Sequence, residues 1–221
     1  MSGNHPAPKL PHEALSLAWQ SASLLLGYPD EQLLSQVPLL REASRRLPDD
    51  VGGRLRRYLD HLEATPLPEL AADYVATFDN RKRCCLFLTY FVHGDTRKRG
   101  MALLRFKQVY LEHGLDLLPD ELPDHLSVVL EFGATASVEA AWDLLLDHRA
   151  GLEVLRMSLR DSGSVWAPVA EAVTMTLPPL QGSEQDAVLR LATQGPPDEE
   201  VGLGGYGGPV MLPMPTTGAR S

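Results

Sequence analysis

Apolar residues recur along most of this chain at spacings of three and four positions, which is the period of an amphipathic α-helix. The first such run places Leu15, Trp19, Ala22 and Leu26 on one face of a helix predicted over residues 12–27. The body of the chain contains no hairpin signal of two alternating segments joined by a tight turn. The pattern therefore predicts an all-α protein.

Capping residues, prolines and glycines predict where the helices begin and end. Asp30, Thr96, Asp124 and Ser137 are expected to cap helices, and Pro38 is expected to break or restart the helix that contains it. These signals predict a single globular bundle of about eight to ten helices. The predicted segments are the helix after Asp30 and residues 12–27, 51–64, 69–80, 84–92, 97–113, 124–135, 137–159, 166–177 and 183–193.

The chain length of 221 residues fits one domain with a sizeable core. We expect this domain to span residues 11–194, with residues 1–10 as a disordered tail. Residues 195–221 are rich in glycine and proline, which predicts a flexible tail without regular packing.

A basic band at residues 81–107 stands out against an acidic chain. The band holds eight lysine and arginine residues and one acid, Asp95, so its net charge is +7, whereas the whole chain carries −9. Two clusters, 81–83 and 97–99, flank the apolar segment 84–92. Positive charge gathered in this way indicates a focused field and not average composition.

The second basic cluster falls at the start of a helix. If Thr96 is the cap, then Arg97, Lys98 and Arg99 lie in the first turn, where each cation costs roughly 0.3–1 kcal/mol against the helix dipole. Asp95 or acids of a neighbouring helix are candidates for compensation. Two interpretations stay open, a partner-binding surface and an internally paired charge cluster.

Common catalytic and metal motifs are missing from the sequence. Cys84 and Cys85 are adjacent, a spacing that suits neither a disulfide framework nor a structural zinc site. His93 with Asp95, and Asp124 with His125, resemble metal or acid–base pairs, but we favour structural roles for them in capping and charge satisfaction. We expect no catalysis, no metal and no cofactor.

The sequence shows no secretory signal and no apolar run of the roughly 18 residues that a membrane span needs. We therefore expect a cytoplasmic protein without stable membrane insertion. A helical nucleic-acid-binding or regulatory protein that uses the basic band is the alternative. The acidic body and a pI of about 5.2 argue against nucleic acid as the partner.

Four stretches of the sequence resemble a known family. Residues 74–79 (YVATFD), 81–90 (RKRCCLFLTY) and 93–100 (HGDTRKRG) resemble the nitrate reductase delta-subunit family, the NarJ-type molybdenum cofactor assembly chaperones. Residues 121–132, ELPDHL followed by LEF, resemble the E-P-x-D-H…L-E-F signature of the wider TorD-like superfamily. Leu122 stands where that signature has proline. The resemblance covers roughly residues 14–191.

The resemblance implies an all-helical chaperone that binds the N-terminal segment of the apo catalytic (alpha) subunit of respiratory nitrate reductase. Such a protein assists insertion of the molybdenum cofactor and assembly of the complex, and it is not part of the mature enzyme. Proteins of cofactor biosynthesis are further partners that this interpretation allows, and the chain is expected to be a monomer or a weak homodimer.

We predict a client groove beside the basic band. Four aromatic residues are candidates for its apolar floor, although a role in the core fits each of them equally well, and Arg97 and Arg99 are expected to touch the client. The predicted client-binding residues are Tyr74, Phe78, Asp79, Arg83, Tyr90, His93, Asp95, Arg97, Arg99, Phe106, Asp124 and His125.

Overall fold

A computed structural model describes residues 5–94, 96–118 and 121–195. These residues form eleven α-helices and no strand, which confirms the all-α prediction and exceeds the predicted count by one helix. The helices are α1 His12–Leu25, α2 Glu31–Arg45, α3 Asp49–Ala64, α4 Leu67–Tyr74, α5 Leu88–His93, α6 Arg97–Glu112, α7 Leu126–Thr135, α8 Val138–Asp147, α9 Arg149–Asp161, α10 Ala167–Thr176 and α11 Gly182–Gln194.

Helix α1 lies at the centre of the bundle, in contact with α7, α10, α2 and α3. Its Trp19 is fully buried, stacks against Trp142 of α8 with ring centroids 6.5 Å apart, and donates a 3.0 Å hydrogen bond from Nε1 to Thr176 Oγ1 of α10. One aromatic side chain thus joins three helices. A partner for the indole N–H lets this large side chain be buried without an unmet donor.

Pro38 does not break α2, so that prediction is wrong. The helix continues from Glu31 to Arg45 with Pro38 inside it. Pro38 is exposed, whereas Leu33, Val37 and Leu40 form the buried apolar face of α2, and the helix packs on α3.

Two long segments that were predicted as single helices are divided. Residues 84–92 form the end of a 3₁₀ turn at Lys82–Cys84, then extended backbone, and then α5. The extended part pairs with the loop before α7, because Leu126 N donates to Leu86 O at 2.8 Å. The predicted helix 137–159 divides at His148 into α8 and α9.

The end of the predicted helix 69–80 also differs. Helix α4 stops at Tyr74, and Val75–Asp79 forms a π-helical turn. Residues 5–10 have no regular structure but contact the body, since Trp142 Nε1 donates a 2.9 Å hydrogen bond to Pro6 O. The predicted tail beyond Gly195 and residues 1–4 lie outside the described residues. None of the described helices is long and apolar enough to cross a membrane.

Two helical glycines provide a test of how closely α7 approaches α1. A Cβ atom on Gly133 of α7 would lie 2.6 Å from the Trp19 ring, whereas a Cβ on Gly100 of α6 would meet nothing within 4 Å. We expect Gly133→Ala to lower the free energy of unfolding by roughly 1–3 kcal/mol through overpacking. Gly100→Ala is the control and should raise it by about 0.5–1 kcal/mol through helix propensity. Urea unfolding followed by circular dichroism measures both, and equal effects would contradict the packing described here.

Candidate functional site

Asp124 is fully buried and binds the start of α5, not the start of its own helix. Its Oδ2 accepts hydrogen bonds from Thr89 N at 3.2 Å and Thr89 Oγ1 at 2.5 Å, and its carbonyl accepts one from Leu88 N at 3.0 Å. The prediction that Asp124 caps the helix after it is therefore wrong, since His125 precedes α7. Asp124 instead satisfies the free N–H groups of α5 from 35 residues away.

Arg99 of α6 completes this cluster. Its Nε donates to Thr89 Oγ1 at 3.3 Å, its Nη2 lies 3.7 Å from Asp124 Oδ2, and its Cζ lies 5.3 Å from the centroid of the Phe87 ring. Thr89 Oγ1 thus donates to the carboxylate and accepts from the guanidinium. Part of the compensation predicted for the first-turn cations of α6 is a buried carboxylate of another segment.

Helix α6 begins at Arg97, as the sequence predicts. Thr96 occupies the cap position, but its side chain makes no capping bond, and within the described ranges its buried Oγ1 has no hydrogen-bond partner. Asp95, the other candidate for compensation, lies outside the described residues. The start of α6 therefore depends on Arg99 and Asp124 in the part of the chain that can be described.

His125 extends the cluster toward α1. Its ring contacts Phe87 edge-on with centroids 5.1 Å apart, and its Nδ1 lies 2.6 Å from Ser127 Oγ. Ser127 O accepts a 2.8 Å hydrogen bond from Ser23 Oγ of α1. Burial lowers the pKa of His125, an effect that the nearby Asp124 charge partly opposes.

Only two residues of α6 are buried. Phe106 contacts the His148 ring at a centroid distance of 5.0 Å, and Tyr110 packs on Phe132 at 4.4 Å. Tyr110 OH donates a 2.6 Å hydrogen bond to Pro123 O, and burial raises the pKa of Tyr110. Helix α6 is thus fastened by Arg99 near its start and by Tyr110 near its end.

The opposite side of α6 is apolar and uncovered. Met101 is 70% exposed, and Leu104 and Leu111 are each 59% exposed. With the exposed Arg97 and Gln108 they recur at helical spacing, and we name this surface the exposed α6 face. A recess of about 270 Å³ borders it, lined by Thr96, Arg99, Gly100, Leu103 and Leu122.

The four aromatic candidates for the groove floor do not come together. Tyr74 and Phe78 pack around Trp166, with centroids 5.7 Å and 5.3 Å from its ring. Phe106 is on the buried side of α6 next to Tyr110, and Tyr90 packs beside Phe91. All four predicted residues are buried. Their geometry is that of core residues in separate clusters, and a client contact stays a prediction for each.

Four further predicted residues are exposed or half-buried. Asp79, Arg83 and Arg97 are exposed, and His93 is half-buried. Sequence reasoning missed Thr89 and Phe87, which have no local signal. It also missed the exposed α6 face, which a check of apolar residues outside the buried face of that helix would have found.

The class of protein follows from a family match, and a solved structure supports the fold. A solved structure from Archaeoglobus fulgidus, described as a redox enzyme maturation protein, matches 79% of this chain and 98% of its own chain with a TM-score of 0.53 and 23% identity. This likeness shows a shared helical fold. The family model described as nitrate reductase delta subunit matches residues 44–171. The chain belongs to the nitrate reductase delta-subunit family.

Two relatives show how far the similarity extends along the chain. The Bacillus subtilis protein described as the nitrate reductase molybdenum cofactor assembly chaperone NarJ is 32% identical, over 73% of this chain and 88% of its own length. The nitrate reductase-like protein NarX of Mycobacterium tuberculosis is 36% identical over 72% of this chain, but the match spans only 24% of NarX.

The buried imidazole of His125 predicts a pH dependence of stability. Since the pKa of folded His125 lies below its ordinary value, the unfolded chain binds a proton that the folded chain does not, and stability falls as pH drops below about 6.5. Between pH 6.5 and 5.5 this group contributes a loss of up to about 1 kcal/mol.

The variant His125→Asn should show a shallower loss over the same pH range in urea unfolding. His148, whose pKa burial also lowers, accounts for part of the slope that remains. A slope unchanged by the substitution would show that folded His125 takes up its proton as readily as the unfolded chain does.

Proposed function

We propose that this chain is an assembly chaperone of a respiratory nitrate reductase. It binds the N-terminal segment of the apo catalytic (alpha) subunit, assists insertion of the molybdenum cofactor and assembly of the complex, and leaves before the enzyme is mature. It acts in the cytoplasm and carries out no catalysis itself.

The similarity to NarJ carries this proposal. The match extends over 88% of the length of the Bacillus subtilis chaperone and 73% of this chain, so it involves most of the helical body and not a short motif. The family match independently covers residues 44–171, which include the basic band and Asp124. Support for the client-binding surface comes from the geometry of α6.

The exposed α6 face is the surface that we assign to the client. A row of large apolar side chains that no other part of the described chain covers marks a site for a partner. Apolar side chains at helical spacing suit the apolar stripe of an amphipathic peptide helix, which would place one side chain in the recess beside Leu103 and Leu122.

The arginines at the start of α6 have different roles in this proposal. Arg97 is exposed on the same face as Met101 and Leu104, so it meets the client and sets its orientation. Arg99 is engaged by Thr89 and Phe87, so it contributes mainly by holding α6 in place. The exposed cations of the band, Arg81 to Arg83 among them, raise the encounter rate with an acidic segment.

Calorimetric titration of the purified full-length chain with a peptide of the catalytic subunit's N-terminal segment tests the surface. We expect the double variant Met101→Ser/Leu104→Ser to bind at least ten-fold more weakly, a loss of about 1.4 kcal/mol. Because both side chains are exposed, the circular dichroism spectrum should not change. Leu39→Ser, on an equally exposed leucine of α2, is the control and should keep the wild-type affinity.

Equal affinity of the double variant and the wild type would remove the α6 face from the proposal. Failure of the full-length chain to co-purify with the apo catalytic subunit would count against the chaperone role itself. Tight, steeply salt-dependent binding of random oligonucleotides would favour a nucleic-acid partner instead.

A further inference from the structure

A cavity of about 800 Å³ lies away from the exposed α6 face. Residues of α3, α9 and α10 form its walls, together with Leu177–Leu180 and the segment before α1. This volume is within the range of roughly 300–1,000 Å³ that small-molecule sites occupy. No residue of the cavity belongs to the client surface proposed above.

Arginine dominates the polar wall of the cavity. The lining contains five cations and three acids, so it carries a net charge of +2 on a chain whose net charge is −9. Three of the arginines, Arg149, Arg156 and Arg160, project from α9 at spacings of seven and four residues, which places them on one side of that helix.

The acids leave a net positive charge on the lining, although Arg160 also pairs with Asp161 outside the lining, with Nε 3.3 Å from Oδ1. Glu153, which is 3% exposed, is the carboxylate between two of them: Arg149 Nη2 lies 2.6 Å from its Oε1, and Arg156 Nε lies 2.6 Å from its Oε2. The single carboxylate of Glu153 therefore forms ion pairs with two guanidinium groups. Glu171 pairs with Arg54 at 3.2 Å and adds no charge to the α9 side.

Arg149 shows most clearly that an acceptor is lacking. Its side chain is 6% exposed, and its buried Nε has no hydrogen-bond partner among the described residues. A guanidinium N–H that is buried and unpaired costs free energy. This Nε has almost no surface that a ligand could reach, so Arg149 contributes its charge to the cavity and not this donor. Burial also lowers the pKa of Arg149, an effect opposed by Glu153 and Glu184.

Another part of the cavity lining is apolar. Met175, Leu177 and Leu180 line the cavity together with Pro178 and Pro179. A bare inorganic anion would leave this wall and most of the volume unfilled. The pairing of a guanidinium wall with an apolar wall suits a molecule that has both an anionic end and an organic portion.

We propose that this cavity binds the phosphate groups of a small organic molecule. Arginine presents several N–H groups in a planar fork and so binds phosphate oxygens in pairs. Arg156 and Arg160 bind the phosphate oxygens, and the buried Arg149 adds positive charge to the same wall. The organic portion rests on Met175 and Leu177.

Calorimetric titration of the full-length chain with pyrophosphate, at constant ionic strength, tests this site. We expect binding at one site per chain, and at least ten-fold weaker binding to Arg156→Gln/Arg160→Gln. Both substituted side chains are partly exposed, and Arg149 keeps its partner Glu153, so the variant should fold. Arg45→Gln, at an exposed arginine of α2 paired with Glu42, should bind like the wild type.

Adenosine diphosphate, which adds an organic portion to the same anionic group, should compete with pyrophosphate for this one site. Absence of binding at millimolar pyrophosphate would overturn the proposal, as would equal weakening by Arg45→Gln. Binding of a hexaglutamate peptide in place of pyrophosphate would identify a carboxylate site and also overturn it. The α6 variant Met101→Ser/Leu104→Ser should bind pyrophosphate like the wild type. A negative result in this test would therefore leave the client proposal intact, and a negative result in the client test would leave this proposal intact.

Discussion

The buried carboxylate of Asp124 is the interaction on which the arrangement of the candidate site depends. It accepts two hydrogen bonds from Thr89 and lies beside the Arg99 guanidinium, so it joins the start of α5, the loop before α7 and the first turn of α6. A charge with no exposed surface is tolerated only when it is paired and hydrogen-bonded. The contacts of Asp124 Oδ2 therefore fix the position of α6, while the buried Oδ1 has no hydrogen-bond partner among the described residues.

This arrangement explains how a weakly packed helix can present a binding surface. Helix α6 buries only Phe106 and Tyr110, and its outer side carries Met101, Leu104 and Leu111 in solvent. Exposing apolar side chains to water is unfavourable in free energy, and a partner that covers them on binding removes this cost. Because the Asp124 cluster sets the start of the helix, the surface that we propose for the client is already formed in the chain alone, which would lower the ordering cost of association.

Local signals in the sequence predict the helical fold and the start of α6 at Arg97, because periodicity and capping residues act within a few positions. These local signals give the wrong structure where contacts between residues distant in the sequence determine it. Asp124 has the local pattern of a helix cap, but its partner Thr89 lies 35 residues away. Pro38 has the pattern of a helix breaker, yet the packing of α2 on α3 overrides it. The cavity beside α9 is lined by five separate segments of the chain, and no sequence motif predicts it.

Amide hydrogen exchange of the Asp124→Ala variant tests the central claim most directly. If the Asp124 carboxylate holds α6 on the body, the amides of α6 should exchange at least ten-fold faster than in the wild type, while those of α1 and α10 keep their protection. Unchanged protection along α6 in a folded variant would contradict this account. It would show that Phe106 and Tyr110 alone hold the helix in place.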